Sequence, residues 1–299
     1  MPSLAKSPFA PVLGQRVPLR GPARLLHRSY ARTRYQPRKS VVRVTTGAGD
    51  VFDADLSSKL EWHLWTFGSW EPHFGELFRY LLRPGDQCVD VGANIGVHAV
   101  RMGRLVGPDG AVIAIEADPD MARRAERNIG LNDLGNVTVI NAAASERSGE
   151  MRLYRPAPND TNRGRSSLHG HAYLTGPAIT VPVLTVDEAC GGAPVTLIKI
   201  DVEGHEAAVV RGAAGTITAH APAVIFEYAP ELLDDPVAQS PFGWLAECGY
   251  VMFRIRAARH GITGRTRLAL DRMTRLSPTA HDLLAIPERD VPRLGPLLG

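Results

Sequence analysis

The sequence has few cysteines, no long apolar run and no acidic residue before Asp50. Its three cysteines in 299 residues are too few and too far apart for a disulfide framework or a zinc site. Cys88 lies in an apolar run and is interpreted as a small core residue. No segment comes near the ~20 consecutive apolar residues that a membrane helix needs. The composition therefore favours a globular protein of a reducing, cytoplasmic compartment without a transmembrane segment.

The chain begins with a basic stretch. Ten lysines and arginines and six prolines precede Asp50. Prolines oppose a long helix, and low hydrophobicity with charge of one sign is typical of disorder. Residues 1–50 are therefore predicted to be a basic, disordered arm. Three roles stay open for it: a solvated tail, a weak contact with nucleic acid or an anionic membrane surface, and an organelle transit peptide.

Beyond the arm, the pattern predicts a single domain, residues 51–299. Apolar residues recur at helical spacing up to Leu82, and Gly68 and Pro72 break this stretch, so residues 51–84 are predicted to be a cap of two helices. From residue 85 onward, short apolar runs alternate with amphipathic segments, which is typical of a parallel α/β sheet. We expect the loops after its strands to share one ligand-binding edge.

Two later segments lack a regular pattern. Residues 159–176 are polar and contain glycine, and they are predicted to form a mobile loop that could close over a substrate. Residues 260–279 are basic and are predicted to be irregular.

The first candidate site is the glycine turn of residues 89–96. Gly92 and Gly96 let the backbone approach a ligand that a Cβ would block, and the helix that follows offers free N–H groups. Asp90, at the end of a buried strand, could accept a hydrogen bond from an ammonium group. The turn is not Gly-x-Gly-x-x-Gly, which counts against a pyrophosphate site. A purely structural turn is the alternative.

Glu116 follows the second predicted strand. In nucleotide-binding α/β folds, an acid at this place, ~20 residues beyond the glycine turn, accepts hydrogen bonds from the ribose hydroxyls. The alternative is a helix-capping or surface role.

A third candidate site is the loop of residues 199–206. A strand delivers Asp201 to the ligand edge, and Glu227 stands at a similar place after the next strand. His205 and Glu206 crowd the same loop, but adjacent residues of a helix point apart, so a metal site is not expected. The alternative is a charged helix start that the helix dipole favours.

Taken in order, these segments resemble the S-adenosylmethionine-dependent methyltransferases of the FkbM type. The resemblance covers residues 55–287 and leaves only the arm outside. The matching segments are residues 68–72, 83–86, 89–96, 115–119, 141–143, 148–150, 166–168, 184–188 and 199–206.

The resemblance implies an α/β fold: a Rossmann-like seven-stranded methyltransferase sheet with helices on both faces, one reversed edge strand and an N-terminal helical cap. It implies S-adenosyl-L-methionine as the cofactor. Asp90, Gly92, Asn94 and Gly96 would surround the methionine part, Glu116 would hold the ribose, Asn141, Ala142 and Ala143 would flank the adenine, and Glu71 would reach in from the cap. Asp201 and Glu203 would face cofactor and acceptor, with Ser166 and Ser167 on the acceptor side.

The family typically methylates hydroxyl oxygens of sugars and natural products, and we expect O-methylation of such an acceptor. The candidate base is Asp201, followed by Glu227 and His205. A divalent metal could acidify the hydroxyl instead, but none is expected. The alternatives are an RNA methyltransferase, a dinucleotide-dependent oxidoreductase and a cofactor-binding module without catalysis.

Overall fold

The computed structural model of the protein describes residues 40–237, 239–259, 266–279 and 281–298. Most of the predicted arm, residues 1–39, lies outside the described residues, so its disorder stays a prediction. Within the described part of the chain, no helix is long and apolar enough to cross a membrane.

The described chain begins with a β-hairpin. Strands β1 (Val41–Thr45) and β2 (Val51–Asp55) pair in antiparallel register. Val44 and Phe52 are buried in the core, and the Arg43 guanidinium pairs with the Asp53 carboxylate across the two strands. The predicted boundary after residue 50 therefore lies inside a hairpin, and the last residues of the predicted arm belong to the folded domain.

The predicted pair of cap helices is confirmed. Helix α1 is Lys59–Phe67 and helix α2 is Pro72–Leu81. Gly68 ends α1 in the left-handed region, with φ 67°, where glycine carries no Cβ penalty. Pro72 opens α2 at a position where its missing N–H costs nothing.

A mixed sheet of eight strands forms the centre of the domain. From edge to edge its strands are β12 (Thr266–Met273), β11 (Tyr250–Arg259), β13 (His281–Pro287), β10 (Ala223–Tyr228), β9 (Leu197–Ile200), β3 (Gln87–Val91), β4 (Ala111–Ile115) and β5 (Val137–Ile140). The run from β10 to β5 is parallel, and all four residues of β9 are buried, as both faces of a parallel sheet require. The predicted Rossmann-like α/β fold is confirmed.

Helices cover the sheet, and separate apolar clusters lie on its two faces. The remaining helices are α3 (Val97–Val106), α4 (Pro119–Gly130), α5 (Val186–Cys190), α6 (Glu206–Arg211), α7 (Ala214–His220) and α8 (Phe242–Glu247). A second, three-stranded sheet consists of β6 (Ala143–Ala144), β8 (Ile179–Leu184) and β7 (Gly149–Leu153). Short 3₁₀ segments follow β10 and β13.

The far edge of the sheet differs from the expectation of seven strands. The reversed strand β13 lies between β10 and β11 rather than at the edge, and β12 adds an eighth, antiparallel edge strand. Part of the segment predicted to be irregular is therefore a strand, in which Leu268 and Leu270 are buried. Charged residues surround these two leucines and hide their alternation. Residues 260–265 lie outside the described residues.

Candidate active site

The carboxyl ends of four parallel strands meet at one edge of the sheet, as predicted. Asp90 is in β3, Glu116 follows β4, Asp201 follows β9 and Glu227 is near the end of β10. Because β3 lies between β4 and β9, the glycine turn is at the middle of this edge.

The glycine turn fits tightly against the loop after β9. Gly92 has φ 77°, and a Cβ added there would lie 1.9 Å from the Asp201 carbonyl oxygen. A larger residue would push the two loops apart. Asn94 also has a positive φ of 51°, and Gly96 precedes α3 with φ 84°. This backbone directs the start of α3 toward the cleft, where its N–H groups can meet an anion.

Asp90 is a buried carboxylate near the end of β3. Its side chain is fully buried, and neither oxygen accepts a hydrogen bond from any described residue. The Lys199 ammonium is 3.8 Å from Oδ1, which is an ion pair but too long for a hydrogen bond. A buried group in this state costs free energy until a donor reaches it. Asp90 is therefore suited to receive the ammonium group of a ligand.

Glu116 stabilises the glycine turn from the next strand. Its two oxygens accept hydrogen bonds from the backbone N–H groups of Asn94, at 2.7 Å, and Asp118, at 2.8 Å. Burial, together with nearby acids, raises the pKa of Glu116 to about 7, although the two hydrogen bonds act to lower it. Each carboxylate oxygen has a further lone pair that could accept a ribose hydroxyl.

Small side chains form the wall beyond Glu116. Ala142 and Ala143 line the cleft. Asn141 holds this wall in place, because its Nδ2 donates to the carbonyl oxygens of Glu116 at 2.8 Å and Ala117 at 3.2 Å. An apolar wall of alanines leaves room for a flat ring.

Glu71 reaches toward the same edge from the cap. It precedes α2 with φ 40°, and its Oε2 is 3.0 Å from Nε2 of His98 in α3. Burial alone would raise the pKa of Glu71, but His98 and Lys199 outweigh it and lower that pKa.

Carboxylates crowd the ends of β9 and β10. Burial, reinforced by Asp201 and Glu203, raises the pKa of Glu227 to about 9. Burial and the charge of Asp201 raise the pKa of Glu203 to about 7, although Arg165 acts to lower it. Glu206 differs in role, since it accepts the N–H groups of the preceding loop at 3.2 Å. Asp201 is the accessible member, with a side chain 43% exposed. Asp201 can therefore meet an acceptor, whereas Glu227 keeps a proton at neutral pH.

Replacing Glu227 with glutamine should flatten the pH dependence of the free energy of unfolding between about pH 5 and 9. The pKa of Glu227 is about 9 in the folded chain and about 4.3 in an unfolded one. The folded state thus keeps a proton that the unfolded chain releases. This stabilisation is present below the unfolded pKa and is lost as pH rises through the folded one, by at most ~1.4 kcal/mol per pH unit.

Urea unfolding at several pH values measures this slope. The exposed Glu247 of α8 provides the control Glu247→Gln, which should leave the slope as in the wild type. A Glu227→Gln variant with the wild-type slope would contradict the prediction.

His205 was predicted as a candidate base, and the structure gives both its ring nitrogens protein partners. Nε2 is 2.9 Å from Ser145 Oγ, and Nδ1 is 3.1 Å from Nε2 of His169. Burial, followed by the charges of His169 and Arg211, lowers the pKa of His205 to about 4. These contacts favour a structural role that connects α6 to the loop of residues 159–176.

The loop of residues 159–176 lies over the cleft. A Cβ on Gly164 would be 2.0 Å from Asn94 Nδ2, and Arg163 forms an ion pair with Asp55 at 3.0 Å. Ser167 donates to the Glu203 carbonyl oxygen at 2.9 Å. The cavity beneath the loop has a volume of only ≈ 50 Å³, against ~300–1,000 Å³ for small-molecule sites. In this arrangement the cavity is smaller than a cofactor and an acceptor need, and the mobility of the loop stays a prediction.

The two predicted acceptor-side serines both line this cleft. Ser166 Oγ is 3.4 Å from Asp118 Oδ2. Ser167 is buried, and its hydroxyl group also accepts from the His169 N–H at 3.1 Å. In this closed arrangement both hydroxyl groups hold the loop.

Several residues near the site carry no individual prediction. Lys199 lies between Asp90 and Asp201. On the loop, the Arg165 guanidinium lies 4.3 Å from the centroid of the Tyr173 ring, and the His171 ring stacks on Tyr173 with the ring centroids 5.3 Å apart. A polar loop gives no periodic signal for such contacts, but the rarity of lysine in this chain could have pointed to Lys199. Among the described residues, no group of three His, Cys, Asp or Glu side chains is arranged to hold a metal ion.

Comparison with known proteins gives one family match. Residues 90–252 match the family described as "Methyltransferase FkbM domain". The chain is 29% identical over 143 residues to a hexuronic acid methyltransferase of Haloferax volcanii, and the aligned segment covers 46% of this chain and 55% of that protein. It is 44% identical over 59 residues to a protein-L-isoaspartate O-methyltransferase of Ignicoccus hospitalis, and the aligned segment covers 20% of this chain and 28% of that protein. The chain thus spans about a quarter to a half of the length of these relatives.

Among solved structures, an FkbM methyltransferase of Methylobacillus flagellatus matches with a TM-score of 0.42 and 17% identity, over 75% of this chain and 52% of that one.

Proposed function

Because the chain belongs to the FkbM family of S-adenosylmethionine-dependent methyltransferases, we propose that it methylates a hydroxyl oxygen of a sugar or natural-product acceptor. The observation that supports this best is Asp90, a fully buried carboxylate whose oxygens accept no hydrogen bond from the described residues. It stands beside a glycine turn at the ligand edge of the sheet, where a ligand ammonium group would complete it.

In this proposal, the residues around the turn hold the cofactor. Asp90 binds its ammonium group, and the backbone at Gly92, Asn94 and Gly96 encloses its methionine part. Glu116, whose oxygens each have a lone pair left beside their backbone hydrogen bonds, accepts the ribose hydroxyls. A bound cofactor supplies an electrophilic methyl group on a sulfonium.

The two alanines after β5 support the adenine site. Ala142 and Ala143 are buried small residues that line the cleft, so a planar base can lie against them. Asn141 acts indirectly, because its amide is committed to backbone carbonyl groups.

The chain's own contribution to methyl transfer is alignment and removal of one proton. The acceptor oxygen bonds to the methyl carbon as the carbon–sulfur bond breaks, and the electron pair of that bond stays on sulfur. Asp201 takes the hydroxyl proton, since its carboxylate is accessible and is held at 3.2 Å by Lys199. Alignment of the reacting atoms can contribute ~7–11 kcal/mol.

Glu227 has a different part in this proposal. A carboxyl group that keeps its proton at neutral pH donates a hydrogen bond instead of accepting one. Glu227 therefore binds an acceptor oxygen, while Glu203 and the serines of the covering loop line the acceptor side. A hydroxyl-rich acceptor suits this mixture of donors and acceptors, and the hexuronic acid methyltransferase is a relative named for a sugar substrate.

The first test is calorimetric titration of the full chain with S-adenosylhomocysteine, the demethylated product, and separately with NAD. We expect micromolar binding of S-adenosylhomocysteine and none of NAD. Methyl transfer from labelled S-adenosylmethionine to a panel of hydroxylated sugars and natural products then tests the reaction. Silence toward S-adenosylhomocysteine, or a preference for NAD, would overturn the cofactor assignment. Binding without transfer to any hydroxyl acceptor would overturn the O-methylation proposal.

A further inference from the structure

A buried lysine connects the proposed cofactor site to the proposed base. Lys199 is 3% exposed, and its Nζ is 3.2 Å from Asp201 Oδ2 and 3.8 Å from Asp90 Oδ1. Lys199 and Asp90 are also direct neighbours in the parallel pairing of β9 with β3. Among the described residues, Lys199 is the one cation that forms an ion pair with either carboxylate.

We infer that Lys199 is a positioning residue, whose ammonium group pairs with both Asp90 and Asp201 and fixes their separation. This inference rests on the proposed function, because it assigns Lys199 a role at the same cofactor and acceptor sites. Lys199 itself does not touch the transferred methyl group in this scheme.

The charge balance around Lys199 requires such a cation. Three carboxylates, those of Glu71, Asp90 and Asp201, act on this one ammonium group. The titratable groups that face the pair from other elements are Glu71 before α2, His98 in α3, Glu116 after β4, Glu206 at the start of α6, and Glu203 and Glu227 on the acceptor side. Burial opposes the ammonium form, but the three carboxylates raise the pKa of Lys199 above its ordinary value. Without it, the buried Asp90 carboxylate would have no counter-ion among the described residues.

The choice of lysine supports the inference independently. The chain has only four lysines and thirty arginines, yet a lysine occupies this buried position. An ammonium group is a compact point charge that fits between two single oxygens, whereas a guanidinium is a planar fork suited to bidentate pairing. The geometry at Lys199, with one oxygen from each of two carboxylates, matches the point charge.

The test is calorimetric titration with S-adenosylhomocysteine between about pH 6.5 and 8.5, on wild type, Lys199→Met, Lys199→Arg and Lys59→Met. Lys59 is exposed at the start of α1, so Lys59→Met is the control. At every pH in this range, Lys199→Met should weaken binding about tenfold or more relative to wild type, because Asp90 and Asp201 lose the cation between them. Lys199→Arg keeps the charge, so it should recover part of that affinity.

Each outcome separates the two proposals. Wild-type binding together with equal losses in both Lys199 variants would show a role in packing alone and overturn this inference. No binding by the wild type would overturn the cofactor assignment and, with it, this inference.

A second measurement applies if Lys199→Met does not fold. The double variant Asp90→Asn/Lys199→Met removes both buried charges, and recovery of folding by circular dichroism would support the charge partnership. Failure to recover would overturn it.

Discussion

Replacing Asp201 with asparagine is expected to lower methyl transfer by about 10²–10⁴-fold, the contribution of a positioned base. An alcohol is a weak nucleophile until its proton leaves, and the amide of asparagine cannot take that proton. The substitution keeps the shape of the side chain. It also keeps an oxygen that can accept from Lys199, which donates to Asp201 Oδ2 at 3.2 Å, so the loop after β9 should retain its form.

Affinity for S-adenosylhomocysteine separates a loss of catalysis from a loss of structure. We expect Asp201→Asn to bind it within about threefold of wild type, since Asp90 and the glycine turn are unchanged; such a ratio is under ~0.7 kcal/mol. Glu126→Gln, an exposed change in α4, should affect neither measurement. Unchanged turnover in Asp201→Asn would remove Asp201 from the role of base.

The parts of the fold that the sequence predicts well are those with strong local signals. Apart from Gln87, Asp90 and Lys199, the runs around Val89 and Ile198 are apolar because both faces of the central strands are buried. Gly68 and Pro72 mark the break between the cap helices through backbone chemistry that does not depend on the rest of the protein.

The elements that the sequence pattern misses take their stability from tertiary contacts. Strand β1 depends on pairing with β2, and β12 depends on pairing with β11. Helix α7 has seven residues and includes Gly215 and the β-branched Thr216, Ile217 and Thr218, all with low helix propensity. Its anchor is Asp187 of α5, whose carboxylate accepts the N–H groups of Gly215 and Thr216.

The candidate site likewise has features that the sequence predicts and features that depend on tertiary contacts. Strand order alone brings Asp90, Glu116 and Asp201 to one edge, so the prediction of a parallel sheet is enough to predict their proximity. The partners of their side chains are not visible in the pattern. That His205 binds Ser145 and His169 depends on how a polar loop folds back over the sheet, and spacing along the chain carries no information on that.

Replacing Asp90 with asparagine is expected to weaken S-adenosylhomocysteine binding by about 10- to 150-fold, because a hydrogen bond to a charged group contributes ~1.5–3 kcal/mol. The asparagine is nearly isosteric, so the glycine turn should stay in place. Its amide, however, has one acceptor oxygen and no charge to meet an ammonium group.

The same substitution should have a smaller effect on folding than on binding. Asp90 is fully buried with no hydrogen-bond partner among the described residues, so the chain without ligand carries the cost of a desolvated charge that asparagine removes. Against this, Lys199 loses one of its carboxylates and keeps Asp201. Urea unfolding without ligand should therefore give a change well below the loss of binding free energy.

The comparison of the two measurements identifies what Asp90 is for. Asp109→Asn, an exposed change in the turn before β4 at the opposite edge of the sheet, should alter neither binding nor stability. If Asp90→Asn bound S-adenosylhomocysteine as wild type does, the buried carboxylate would not be the ammonium site. If it destabilised the free chain as strongly as it weakened binding, Asp90 would serve the fold and not the cofactor. A large loss of affinity with a small change in stability is the result that a residue kept for its ligand should give.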